Sequence, residues 1–217
     1  MGNAIAWVLG LLVSGTALEQ SADVGLVNMV SGNVTYSPSA ATAAKAVQAF
    51  MKVRDGDRID LAAGGEVRVV FFDASRQERW LGPASFRAGK SGSAPLTGKA
   101  ASVIDLPAAA PQRLARVPDL VQFAKLGGIQ VRGKITPAQK ASLEQQAAVT
   151  EARATYEKMR KDAAPDDIAP ELFLYSALYE YLLYDDMKTA VDEMLRKQPG
   201  NPDLNALAEW LRARASR

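Results

Sequence analysis

The fold turns on Val53-Arg54-Asp55-Gly56-Asp57-Arg58-Ile59-Asp60-Leu61, then Gly64-Gly65, then Val67-Arg68-Val69-Val70-Phe71-Phe72. Apolar residues here recur at every second position, not at helical spacing. Arg58-Ile59-Asp60-Leu61 alternates cleanly, as a half-buried strand does. After Arg68 the next run is apolar on both faces, which predicts a central strand. Asp55-Gly56-Asp57 and Gly64-Gly65 punctuate the runs. Gly56 allows the positive φ of a tight turn. Asp55 and Asp57 are suited to accept hydrogen bonds from turn N–H groups. Read as metal ligands the pair is thin, because calcium takes about six to eight oxygens.

The period of two extends outward from Val24 to about Ile104, with turn signals at Ser31-Gly32-Asn33 and Gly82-Pro83. Short strands between regular turns predict an all-β sandwich, roll or barrel. Ala40 to Met51 is rich in alanine and breaks the pattern, as a helical excursion or a long loop would.

These elements resemble a family. Val53 to Ile59 is similar to the "L-x-x-G-D-x-I" turn of FecR-type domains, named for a periplasmic regulator of iron-citrate transport. The family's later elements have counterparts in order: Gly64-Gly65, then Val69 to Asp73 with Ala74-Ser75, then Leu81-Gly82-Pro83-Ala84-Ser85-Phe86. Val27 to Val34 resembles its opening hairpin. Ala74 stands where the family has a turn glycine. The resemblance spans Val24 to Ala88 and implies a periplasmic regulatory or adaptor module. The family's receptor relay uses a cytoplasmic anti-sigma segment ahead of a membrane span. No such segment precedes the apolar run here, so direct sigma-factor contact is not expected.

Ala84 to Ser91 satisfies a relaxed phosphate-loop pattern. A working phosphate loop leads from a strand into a helix whose N-terminus faces the phosphates. Gly92 to Gly98 reads as a flexible loop, so nucleotide binding is not expected.

Residues 90–111 are rich in Gly, Ser, Ala and Pro and read as the domain boundary. Residues 111–134 carry a net charge of +4 and read as a basic connector, with a short helix opened by Pro118-Asp119 and stopped by Gly127-Gly128. Thr136-Pro137 opens a helix to about Lys161. A second helix is predicted from Asp166 or Asp167 through Tyr184, a third from Asp185 or Asp186 to near Gln198, and a fourth from Asn201-Pro202 through Arg212. The second has almost no polar face, so it must be covered on both sides. Tyr181, Ala190 and Pro202 stand at the spacing of the Tyr, the second-helix Ala and the closing Pro of a tetratricopeptide repeat, which this region resembles. Residues 162–193 carry a net charge of −8, complementary to the basic connector.

The chain has 217 residues, no Cys, no His and a net charge of +2. Thiol nucleophiles, Ser-His-Asp triads and His/Cys zinc sites are excluded. So small a net charge gives no support to general nucleic-acid binding. Ala4 to Leu18 is apolar and uncharged, with small Gly15 and Ala17 at −3 and −1 of a cut after Ala17. At about 15 residues it fits a signal h-region better than a membrane span.

The sequence therefore predicts an exported two-domain α+β protein. Residues 1–22 are a signal peptide or anchor, 23–106 a FecR-like β domain (sandwich or roll), 107–135 a basic linker, and 136–217 an antiparallel tetratricopeptide-like helical array. The expected role is a non-catalytic periplasmic or envelope adaptor without metal or cofactor. Its partner would be another envelope protein or a second copy, with membrane association through residues 4–18 if they are retained. The alternative is a carbohydrate- or peptidoglycan-binding module. Candidate contact residues are Tyr175, Tyr179, Tyr181 and Tyr184 for a protein partner and Trp80, flanked by Glu78 and Arg79, for a sugar.

Overall fold

A computed structural model describes residues 21–39, 43–127 and 143–215. The strands come first: β1 (Asp23–Ser31), β2 (Val34–Ser37), β3 (Lys45–Ala46), β4 (Lys52–Arg54), β5 (Arg58–Leu61), β6 (Glu66–Phe71), β7 (Arg76–Leu81), β8 (Ala84–Gly89), β9 (Gly92–Thr97) and β10 (Ser102–Asp105). They make two five-stranded antiparallel sheets. Sheet A has the order β10-β7-β6-β1-β4, and sheet B the order β3-β2-β5-β8-β9. The two sheets pack face to face. Val27, Val67, Val69, Phe71 and Trp80 of sheet A meet Val34, Ile59, Leu61 and Phe86 of sheet B in one buried cluster. The β4–β5 turn follows the sequence reading. Gly56 has φ of +85°, and the Asp57 carboxylate accepts the Arg54 N–H at 3.0 Å.

Two strands lie where the sequence reads as loop and boundary. Lys90-Ser91 is the turn of the β8–β9 hairpin, with Gly89 paired to Gly92. The phosphate-loop pattern therefore leads into a strand, not a helix. β10 pairs with β7 at the edge of sheet A. Both fall inside the β domain read to residue 106, but neither was placed as a strand of its own, because at an edge small and polar residues stay exposed and the alternation is weak. Within Ala40 to Met51, the only strand among the described residues is the two-residue β3.

Six helical segments follow: α1 (Ala110–Leu114), α2 (Val117–Lys125), α3 (Leu143–Asp162), α4 (Ala169–Tyr179), α5 (Tyr184–Lys197) and α6 (Pro202–Ala215). Thr136-Pro137 and Gly128 lie outside the described residues. The stretch read as a basic connector with a short helix, which is α2, also supplies core. Leu114, Val117 and Val121 are buried together with Leu172, Phe173 and Leu207 of the later helices. That cluster also contains Leu26 and Val70, on the face of sheet A turned away from sheet B. The molecule is thus three layers, helices on sheet A on sheet B, and the helices dock on the sandwich.

The second predicted helix stops at Tyr179, five residues early. Leu182 takes φ of +54° in the turn that follows. A leucine in the left-handed region is rare, and the residue type gave no hint of a break. α4 is covered as its all-round apolarity requires, with α1, α2, α3 and α5 as neighbours.

Candidate functional site

The four tyrosines separate into one core residue and three surface ones. Tyr175 is 1% exposed, so it packs in the core and cannot touch a partner. Burial pushes its hydroxyl well above the usual tyrosine range. Tyr179 and Tyr184 are half-buried against Trp210 of α6, with ring centroids 5.9 and 6.0 Å away. Phe123 of α2 closes on the same indole edge-on at 5.9 Å, and the Arg214 guanidinium lies over it at 4.1 Å. Tyr181 is half-buried in the α4–α5 turn beside Leu182, which is 52% exposed. The turn therefore presents an apolar and aromatic tip whose base is fixed by Trp210.

Charge pairing sets the orientation of this tip. Glu180 takes the Arg113 guanidinium at 2.9 Å and the Arg116 guanidinium at 2.5 Å. These are contacts between the basic 111–134 stretch and the acidic 162–193 stretch. Asp186 pairs with Arg153 at 2.9 Å. Asp185 stays exposed at the first turn of α5.

Trp80 does not serve as a sugar platform. It is fully buried between the sheets, stacked on Phe86 with centroids 4.6 Å apart. Its flanking charges misled the sequence reading. Adjacent strand residues point to opposite faces while alternate ones share a face, so Glu78 lies on the face of Trp80 and accepts its indole N–H at 3.1 Å.

A polar set that the sequence reading missed holds the helices on sheet A. Asp167, just before α4, accepts from Asn28 of β1 at 3.2 Å and from Gln77 of β7 at 2.5 Å. It also accepts the Ala169 backbone N–H at 2.9 Å. Asn28, Gln77 and Asp167 are all buried. Alongside, buried Arg68 of β6 bridges Glu66 at 3.1 Å and Asp166 at 2.6 Å. Hydrogen bonding from Arg79 holds the Glu66 carboxyl below the usual range, and Arg68 does the same for Asp166. The available signal was Arg68 itself, a charge inside an otherwise apolar central run.

A second buried set ties α3, α4 and α5. Glu171 receives Lys197 at 2.8 Å and Arg160 at 3.2 Å. It also accepts from the Tyr156 hydroxyl at 3.3 Å. Burial, then the Glu171 charge, push Tyr156 up to about 12. The Glu171 carboxylate is thus saturated by cations and a hydroxyl. Its environment is that of a structural anchor between helices.

Among the described residues no cluster of three acidic side chains could hold a metal ion. No helix among them is long and apolar enough to cross a membrane. Residues 4–18, predicted as signal or anchor, lie outside the described residues. Comparison with family models, curated proteins and solved structures finds no significant match to this chain.

Proposed function

We propose that this protein is an exported, non-catalytic component of the bacterial envelope that works as a protein–protein adaptor. The carrying observation is the α4–α5 turn, where half-buried Tyr179, Tyr181 and Tyr184 flank in sequence a 52% exposed Leu182. Tyrosine supplies a large apolar body with a polar tip and is enriched where proteins bind one another. The tip's chemistry fits a partner that presents an apolar side chain beside a basic one, the latter meeting Asp185. The resemblance of residues 24–88 to FecR-type domains, the tetratricopeptide-like spacing of Tyr181, Ala190 and Pro202, and the signal-like residues 4–18 support the same reading. The sugar-binding alternative loses its aromatic residue, because Trp80 is buried.

The test is a photo-crosslinking residue at Tyr181 in cells that make the protein. A discrete adduct is expected in the envelope fraction, and Leu182→Asp should abolish it. The same probe at exposed Glu144 should give no such adduct. Equal labelling from both sites, or none from Tyr181, would overturn the proposal.

A further inference from the structure

A cavity of about 250 Å³ opens where the helical layer meets the edge of sheet A. Its walls come from both layers and are apolar. Ile104 of β10 and Leu106 just after it stand on one side, and Met159 of α3 and Pro170 of α4 on the other. Gln77 of β7 and Asp167, both buried, form a polar inner end. Asp105, Asp162 and Lys158 stand exposed at the rim.

Asp167 is only 2% exposed, yet among the described residues no cation reaches its carboxylate. Its donors, Asn28, Gln77 and the Ala169 N–H, are all neutral. Arg160 and Lys197 bond its backbone carbonyl instead, and their charges pair with Glu171. A carboxylate offers about four acceptor sites, so one is open. A buried charge is costly unless it is paired. Hydrogen bonds and the α4 N-terminus stabilise this one without neutralising it. A second observation points the same way. Asn28, bonded to both Gln77 and Asp167, keeps its own Oδ1 buried without a donor. Acceptors therefore outnumber donors beside the inner end of the cavity.

The rim repeats the sign. Asp105 and Asp162 form no ion pair with a described residue, and neither does Lys158, one helical turn before Asp162. The lining thus sets three carboxylates against one ammonium, a net charge of −2. The carboxylates do not gather closely enough to share a metal ion. Two positive charges separated by an apolar chain satisfy both ends, one at Asp167 and one at the rim. Size agrees. An apolar cavity of about 150 Å³ takes benzene, so one of this volume takes a chain of about ten heavy atoms.

We propose that this cavity binds a linear aliphatic diamine, with one ammonium on Asp167 and the other at Asp105 and Asp162. The methylene chain lies along Ile104, Leu106 and Met159. β10 and the α3–α4 corner each supply part of the site, so the bound diamine joins the two layers. The site is separate from the tyrosine tip, and either reading can fail while the other stands.

The experiment is an amide NMR titration of the full chain with cadaverine, and with pentylamine and magnesium chloride at equal ionic strength. Cadaverine should shift the amides of Ile104 to Leu106 and of the α3–α4 corner and saturate. Pentylamine, the same chain with one charge, should bind up to about five-fold more weakly, the range of an exposed ion pair. Magnesium ion should not compete. Asp105→Asn and Asp162→Asn, both exposed, should keep the wild-type unfolding curve. Each should weaken cadaverine and leave pentylamine unchanged. Asp167→Asn should weaken both amines about ten-fold or more. If that variant does not fold, Ala163→Trp, which fills the cavity from a half-buried position on its wall, should abolish binding of both. No binding of cadaverine would overturn the proposal. So would equal affinity for the two amines, shifts confined to other parts of the chain, or rim variants that leave the cadaverine affinity unchanged.

Discussion

The two faces of sheet A are built on different principles. The face toward sheet B is mainly dry and apolar. Val67, Val69, Phe71 and Trp80 close on Ile59, Leu61 and Phe86 with no exposure above 4%. The face toward the helices mixes Leu26 and Val70 with buried Asn28, Arg68 and Gln77, each aimed at Asp166 or Asp167. An apolar face tolerates many partners of the right volume. A polar face tolerates only the arrangement that satisfies it, because a buried donor left without an acceptor costs about 1–3 kcal/mol. The first face supplies stability, and the second fixes where the helical layer sits.

The largest expected effect is in the dry face. Trp80→Ala removes a fully buried ring and its stacking on Phe86, and urea unfolding should show a loss of about 4 kcal/mol. The polar face comes next. Asp167→Ala strips acceptors from Asn28, Gln77 and the Ala169 N–H at once. The expected loss is about 3 kcal/mol. The distinguishing result is local: amide exchange should rise in α4 and the loop before it more than in β5 and β8. Uniform acceleration would erase the contrast between the faces.

Gly56→Val tests the sandwich turn away from both faces. A valine at φ of +85° is strained, and its Cβ would stand 2.9 Å from the Ser39 Cβ. A loss of about 2 kcal/mol is expected from the melting curve. Acid gives a smaller and more specific effect. Glu66 and Asp166 are held below the ordinary carboxylate range by Arg79 and Arg68 in the folded state. Unfolding raises both, so the unfolded chain binds more protons as pH falls toward and below the ordinary range. Their contribution is present above that range and lost as pH drops through the folded values. Below about pH 4 the urea midpoint should decline, and it should decline less steeply in Glu66→Gln with Asp166→Asn.

How much of this was legible depended on position in the layers. Strands β5 and β6 announced themselves because burial on one or both faces writes a period of two, or an unbroken apolar run, into the residues. Gly56 was legible because few other residues can occupy its turn. The chemistry of α4 required cover on both sides, and cover is what surrounds it. β9 and β10 lay inside the β domain read from the sequence but were not legible as separate strands, because an edge strand need not bury alternate residues. α2 was legible from Pro118-Asp119 and Gly127, but α1 and the burial of both helices were masked by Arg113, Arg116 and Lys125, whose charges find partners in Glu180 and Asp203 while the intervening Leu114, Val117 and Val121 go inward. Trp80 was misplaced because its neighbours in sequence are charged, whereas its neighbours in space come from the opposite sheet. The Asn28–Gln77–Asp167 set joins residues up to 139 positions apart, a separation at which no local pattern points to the contact.

The central claim is that the helices and the sandwich form one body, joined through the polar face of sheet A. Two tryptophans report on the two parts, Trp80 between the sheets and Trp210 among the helices. With Trp7 replaced by Phe throughout, Trp210→Phe leaves Trp80 as the only indole, and Trp80→Phe leaves Trp210. Urea unfolding is followed by fluorescence in each variant and by circular dichroism at 222 nm. Coincidence of the fluorescence and dichroism transitions within each variant is the predicted result, as expected of a single cooperative unit. A Trp210 transition that is complete while part of the dichroism change remains would contradict it, because the helices would then unfold from an intact sandwich.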